Sequence, residues 1–233
     1  SDRPDYYSED VWRDTRAFML YALVRHGRVL ESEIDWLATH WPTSVEGQTH
    51  LLRTLLALDR PAYEATENRL VNRLKQRIRV EATTAYLQAP ADDNYGWIFS
   101  SDERTTAFGL TALLEATPSN DFQQLAQRMI RFLMDRRRQG HWASTQDNAA
   151  VLTAFQHYVN AYERATPDFS ASVELAGKTI LDAAFQGRSL KVQSETIEAD
   201  AFPSEREMPL AVQSSGTGRL YYSMRLTTYT TAP

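Results

Sequence analysis

The sequence predicts a mainly α-helical protein followed by a small β module, and three observations carry that prediction. Helices that are apolar almost all round alternate with amphipathic ones from Asp14 to Tyr162, the pattern of helical hairpins in which the wholly apolar members lie inside. The small/large pairs Ala22-Leu23, Ala57-Leu58, Ala112-Leu113 and Ala154-Phe155 recur at unequal intervals, a loose internal repeat with one pair per inner helix. After Pro167 the rhythm changes to short β-favouring runs, which divides the chain into residues 1–166 and 167–233. Arrays of helical hairpins either stack into an open solenoid or close into a ring, and inner helices this apolar favour a closed double layer.

Taken in order, residues 1 to 10 are polar and read as an extended lead-in. Asp14 is expected to cap the first inner helix, which carries Ala17, Phe18, Leu20, Tyr21, Leu23 and Val24 and stops at Gly27. Ser32 offers the next cap, ahead of Ile34, Leu37, Ala38 and Trp41 and the break at Pro42. Ser44 caps the second inner helix, with Leu51, Leu52, Leu55, Leu56 and Leu58. Pro61 suits the first turn of an outer helix with Leu70, Val71, Leu74 and Ile78 on one side. Arg79 to Leu87 supports two readings, because Val80, Ala82, Thr84 and Tyr86 alternate as in a strand while the preceding helix could also run on. Asp92 to Gly96 reads as a turn, after which Ser101 or Asp102 caps a third inner helix containing Ala107, Phe108, Leu110, Leu113 and Leu114. Pro118, Ser119 and Asn120 interrupt the chain before an amphipathic outer helix with Phe122, Leu125, Ala126, Met129, Ile130 and Leu133.

Arg136 to Arg138 sit at the negative end of that helix's dipole, and Gly140 can take the left-handed conformation that stops it. Ser144 or Thr145 then caps the fourth inner helix, with Asp147 in its first turn, and Val151, Leu152, Phe155, Tyr158, Val159 and Tyr162 at helical spacing. Ala149, Ala150 and Ala154 permit a neighbour to approach closely. In the tail, the runs around Val173 and Leu175, around Ile180, Leu181 and Phe185, and around Leu190, Val192 and Ile197 predict strands. The clearest is the last, with Leu220, Tyr222, Met224 and Leu226 on one face and Tyr221, Ser223, Arg225 and Thr227 on the other, giving about five strands in all. So small a module is expected to lean on other structure.

Composition narrows the function classes. A net charge of −5 argues against general nucleic-acid binding, and the run Arg69, Arg73, Lys75, Arg77 and Arg79 reads as a solvated helix face. With no cysteine there is no disulfide, zinc–thiolate site or cysteine nucleophile, and no apolar run is long enough for direct membrane insertion. Starting at Ser1 inside patterned sequence, the chain reads as part of a longer one, so the lack of a targeting signal says little about location. Asp10, Asp14, Asp92, Asp93, Asp102, Glu103 and Asp147 precede inner helices. In an α/α-barrel glycosidase, acids at one end of the ring supply proton donor and base, but caps and first-turn charges explain these equally and are preferred. Asp92, Asp93 and Asn94 lack EF-hand spacing, and His26, His40, His50, His141 and His157 lack a metal-binding spacing. Tyr95, Trp97, Trp142 and Tyr162 suit either a sugar or prenyl pocket or core packing, the latter being preferred. No catalytic, cofactor-binding or metal-binding residue is assigned.

Trp142, Ser144, Thr145, Gln146, Asp147, Asn148 and Ala149 resemble a signature of the bacterial alpha-2-macroglobulin and complement-type thioester proteins, in which an aromatic residue and Ser-Thr-Gln-Asp or Ser-Thr-Gln-Glu lead into an alanine-rich helix. Asp14-Thr15 with Ala17 and Tyr21-Ala22-Leu23, Gly187 to Leu190, and Gly216 to Leu226 extend the resemblance in order over nearly the whole chain. The resemblance implies a partial α/α toroid of the terpenoid-cyclase type, the later hairpins of a thioester domain. It further implies the second half of a CUB-like β domain, a half antiparallel sandwich with an open sheet edge. It implies a periplasmic or envelope-associated endopeptidase inhibitor as the parent, which traps proteases after they cleave a bait region elsewhere. Its partners would be proteases, met through the full-length protein, and the remaining domains of the same polypeptide. The family's Gly-Cys-x-Glu-Gln thioester motif is not in these residues, and none of the matched positions is a reacting one, so the expected role is mechanical: shielding and conformational coupling, without enzymatic activity or a cofactor. The competing readings are a toroid enzyme acting on glycans or isoprenoids and a helical-repeat binding module.

Overall fold

The structure, a computed structural model, describes residues 8–89, 101–116, 118–188, 192–198 and 207–227. The chain divides between Tyr162 and Glu163 into two compact units, mainly helical in the first and antiparallel β in the second.

The helical unit runs α1 (Glu9–Arg25), α2 (Glu31–Thr39), α3 (Val45–Leu58), a 3-10 turn (Pro61–Tyr63), α4 (Glu64–Arg77), β1 (Ile78–Val80), β2 (Ala85–Leu87), α5 (Asp102–Ala116), α6 (Asn120–Asp135) and α7 (Thr145–Tyr162). Helix α1 packs on α3, α3 on α5 and α5 on α7, so the four apolar helices form one row. Helices α2, α4 and α6 lie against their sequence neighbours in that row. Between the layers Leu51, Leu52, Leu55, Leu110 and Leu113 meet Leu70, Leu74, Met129 and Leu133, all fully buried. The alternation of all-apolar and amphipathic helices in the sequence becomes this two-layer arrangement.

Most helix boundaries follow local chemistry. Ser44, Ser101, Ser119 and Ser144 each accept a backbone N–H from the following turn, at 2.8, 3.0, 3.3 and 3.0 Å respectively. Gly27 takes φ of 75° just beyond α1. Gly140 does not stop α6 as expected, because that helix ends at Asp135 with Arg136 as its cap, and Gly140, at φ of 89°, instead makes with Gln139 the tight turn between the paired Arg138 and His141. Two caps differ from expectation. Helix α1 begins at Glu9 with Ser8 as its cap, so Asp14 lies in mid-helix. Helix α2 begins at Glu31 with no side-chain cap, and Ser32 is already helical. The segment from Arg79 resolves as a hairpin: β1 pairs antiparallel with β2, Ile78 opposite Leu87, and Ile78 therefore starts a strand instead of completing the apolar side of α4. Thr106 Oγ1 accepts the Leu87 N–H at 3.0 Å and anchors the hairpin on α5.

The alanine pairs do not mark equivalent positions. Ala112 and Leu113 are fully buried and Ala154 is buried beside a half-buried Phe155, but Ala22 and Leu23 are only half-buried and Ala57 is exposed. Ala57 falls in the last turn of α3, on the outer side, while its neighbours Leu56 and Leu58 pack against the core. Helix α1 is likewise not wholly interior, because Phe18 and Met19 are 55% and 50% exposed.

One close approach fixes the start of α3. A Cβ on Gly47 would overlap Asp14 Oδ1 and stand 2.6 Å from Pro42 Cβ. The proline ring cannot rotate away, so Gly47→Ala is expected to cost about 2–3 kcal/mol by overpacking, read as a lowered thermal midpoint in circular dichroism.

In the β unit, β3 (Asp168–Leu175), β4 (Lys178–Gln186) and β5 (Leu210–Thr217) form an antiparallel sheet in the order β4-β3-β5. Ala176 and Gly177, both at positive φ, make the tight β3–β4 connection, and Phe169 stacks on Phe185 across the ladder at 5.0 Å. The expectation of about five strands is not met among the described residues, which contain three in this unit. Val192, Ile197 and the whole run Leu220 to Leu226 belong to no strand, and Leu190 lies outside the described residues. Tyr221, Tyr222, Met224 and Leu226 are 61–76% exposed. Alternation in sequence defines the two faces of a strand but cannot supply the neighbour whose hydrogen bonds make it one.

Candidate functional site

The polar side chains of the helical unit gather where α3, α5 and α7 begin. At the head of α7, Asp147 N–H donates to Ser144 Oγ at 3.0 Å, while Ser144 N–H and Oγ–H donate to Asp147 Oδ2 at 3.1 and 2.7 Å. This is a reciprocal capping box built with an aspartate. The other oxygen, Oδ1, accepts Ser101 Oγ–H at 2.6 Å, and Ser101 Oγ in turn caps α5 by accepting from Arg104 N–H. One carboxylate, 5% exposed, therefore joins the caps of two neighbouring inner helices.

Around it, Arg104 donates to Gln146 Oε1 at 2.8 Å and forms an ion pair with Glu46 at 3.3 Å, and Thr105 Oγ1 donates to the same Glu46 at 2.9 Å. Asn148 binds the preceding loop at both ends of its amide: Oδ1 accepts Trp142 N–H at 3.2 Å, and Nδ2 donates to the carbonyls of Trp142 and Ser144 at 3.1 and 2.6 Å. The Trp142 indole N–H donates to the Leu133 carbonyl at 2.7 Å, and its ring meets Phe155 edge-on. Each residue of the Trp142 to Asn148 segment that carries a polar group in this network thus serves the joint between α6 and α7 or its link to α5 and α3.

Two titratable groups, the half-buried Asp14 and the buried His50, lie on the facing stripe of α1 and α3. Asp14 has an Oδ1 without a hydrogen-bond partner; burial pushes its carboxyl up to about 6, reinforced by the charges of Asp10 and Glu46 and opposed by hydrogen bonding to Ser44. His50, 6% exposed, is enclosed by the rings of Phe18, Tyr21 and Phe108 at 5.3, 5.7 and 5.2 Å and leaves Nδ1 unpartnered. Burial first, and then the Arg53 and Arg104 charges, lower its pKa to about 4. Farther along the row, Arg53 stacks on Tyr21 at 4.5 Å and grips Glu115 through Nε and Nη2, both at 2.8 Å. His157 lies 3.6 Å from the same carboxylate, so each inner helix contributes one side chain to this second polar chain.

Of the acids singled out in the sequence, Asp102 accepts the Ala89 N–H at 2.7 Å, Asp147 bridges two caps, Asp14 is half-buried, and Asp10 and Glu103 lie in the first turns of α1 and α5. Asp92, Asp93, Asn94, Tyr95 and Trp97 lie outside the described residues. Trp142 and Tyr162 pack structurally, Tyr162 Oη donating to the Ser119 carbonyl at 2.9 Å. Two surface depressions, of about 450 Å³ beside Trp41 and Arg69 and about 300 Å³ beside Arg128 and Arg131, contain none of these acids. Among the described residues no three His, Cys, Asp or Glu side chains gather as a metal-binding set. Glu46, Arg53, Arg104 and Glu115 were not anticipated; a charge inside an otherwise apolar inner helix was the available signal for Arg53 and Glu115.

No protein-family profile matches the chain. It is similar to an alpha-2-macroglobulin homolog of Nostoc sp. (strain PCC 7120 / SAG 25.82 / UTEX 2576), 28% identical over 163 residues, a match covering 70% of this chain and 8% of that protein. The chain thus corresponds to a small part of the length of the relative it matches.

Proposed function

We propose that this chain is a structural piece of a bacterial alpha-2-macroglobulin-type protease trap: the later hairpins of the helical thioester-type domain, followed by the second half of a CUB-like domain. The single observation that carries this reading is the 28% identity to the alpha-2-macroglobulin homolog over 163 residues. The capped joint at Trp142 to Asn148 supports it, because the residues that resemble the family's signature are the ones that lock α7 to α5. Among the described residues, three antiparallel strands with two outer edges, and a run with exposed Tyr221, Tyr222, Met224 and Leu226 outside any strand, suit a half-domain that other strands of the parent complete.

On this reading the parent acts in the periplasm or cell envelope, and protease cleavage of a bait region elsewhere rearranges its domains around the captured enzyme. This chain holds and shields, and it transmits the rearrangement through the segment between α7 and β3. It contains no cysteine, so any internal thioester chemistry belongs to another part of the polypeptide. The toroid-enzyme reading draws less support, since Asp102 and Asp147, its two principal acids, are committed to backbone and cap hydrogen bonds.

The purified chain, mixed at equimolar ratio with trypsin, is expected to leave casein cleavage unchanged and to show no hydrolytic activity of its own on glycan or peptide substrates. Inhibition of trypsin by the isolated chain would contradict the assignment of trapping to the whole protein.

A further inference from the structure

The helical unit carries a cationic shelf that the trap reading does not use. On α6, Gln124, Gln127, Arg128 and Arg131 recur at the spacing of one helical stripe, and with Ala82 and Thr83 of the β1–β2 turn they line an open depression of about 300 Å³. Arg128 Nη1 reaches the Glu81 carbonyl at 3.5 Å, which leans its guanidinium over the turn. The Glu81 carboxylate is engaged within that turn, accepting Thr84 Oγ1–H at 2.8 Å. Among the described residues neither Arg128 nor Arg131 forms an ion pair. Two guanidinium groups thus stand side by side with no described carboxylate paired to them, on a chain whose net charge is −5.

We propose that this shelf binds an acidic peptide segment. Guanidinium forks match carboxylates bidentately, and the two glutamine amides, each with a donor and an acceptor, match the backbone of an extended peptide laid along the helix. The depression is open, and its volume stands at the lower limit of enclosed small-molecule sites, roughly 300–1,000 Å³, so side-chain carboxylates fit it better than a cofactor does. An anionic membrane fits less well, because the lining has no large apolar side chain to insert.

The test uses the whole chain and a fluorescein-labelled hexaglutamate peptide, with binding read by fluorescence anisotropy at low salt and again at about 0.15 M, where exposed charges are screened beyond roughly 8 Å. Binding that weakens with salt is expected, with Arg128→Ala/Arg131→Ala lowering affinity at least about tenfold, as expected for loss of two charge-assisted contacts. The control Arg25→Ala/Arg28→Ala, which removes the same charge at the end of α1, is expected to change affinity less than about twofold, as for a distant screened pair. Because Arg128 and Arg131 are exposed, the double variant should melt with the wild type, so a loss of binding is not a loss of fold. Absence of binding, or equal loss in the two double variants, overturns the proposal. So does cosedimentation with phosphatidylcholine–phosphatidylglycerol vesicles that depends on Arg128 and Arg131, which would assign the shelf to phosphate headgroups.

Discussion

Replacing Asp147 with alanine is expected to destabilise the helical unit more than any other single truncation at the helix joints, by about 3 kcal/mol. The carboxylate accepts from Ser101 Oγ, Ser144 N and Ser144 Oγ while only 5% exposed, so alanine leaves three donors without their acceptor in a site that water reaches poorly. The Ser144 cap of the residue-147 N–H survives, so the loss comes from the return arm of the capping box, about 1 kcal/mol, and from the other buried donors, and for a domain of this size it lowers the thermal midpoint by about 6–12 °C. Asp147→Asn keeps an acceptor for one donor group and should recover part of the loss. Ser101→Ala combined with Asp147→Ala should show coupling of about 1 kcal/mol or more, because both act through the same bond. A midpoint within about 2 °C of wild type for Asp147→Ala, under about 1 kcal/mol, would show that the α5–α7 joint does not depend on this carboxylate.

The second large effect lies in the pH dependence of stability, where Asp14 and His50 oppose each other. Folding raises the Asp14 carboxyl from 3.8 to about 6 and lowers the His50 imidazole from 6.5 to about 4. Both are therefore neutral in the folded protein near pH 5, whereas both are charged in the unfolded chain. For Asp14, stability is full below 3.8 and is lost as pH rises through about 6. For His50, whose folded value is depressed, stability is full above 6.5 and is lost as pH falls toward about 4. At about 1.4 kcal/mol per pH unit each shift amounts to about 3 kcal/mol, with opposite signs over nearly the same window. The two nearly cancel in the wild type. Asp14→Asn should raise stability near pH 7 by up to about 3 kcal/mol and expose the His50 slope, with stability falling on acidification from 6.5 to about 4. His50→Gln should expose the reverse slope, with stability falling as pH rises from 3.8 to about 6. Urea midpoints measured across that range decide it: an Asp14→Asn profile parallel to that of the wild type contradicts the assignment.

These two sites differ in how far the sequence revealed them. Ser144 and Asp147 were readable as a cap because capping is local: the side-chain oxygen and the amide it serves lie within one turn. The layers were readable because periodic apolar positions on α3, α5 and α6 do become the core. Asp14 was misread as a cap because its role depends on Gly47, a residue on another helix, and because Ser8 starts α1 ahead of any apolar pattern. Arg53 and Glu115 are 62 positions apart, and only the packing of α3 on α5 brings them together. The run from Leu220 to Leu226 has the alternation of a strand yet lacks one among the described residues, since pairing is a property of two segments.

The functional account turns on a division of labour between this chain and the rest of its polypeptide. It is tested most directly by incubating the full-length protein with trypsin and following the protease by size-exclusion chromatography, with casein and a small chromogenic peptide as substrates. The account predicts that trypsin elutes with the large protein, loses activity on casein and keeps it on the small peptide. Trypsin eluting free with casein cleavage undiminished would contradict it.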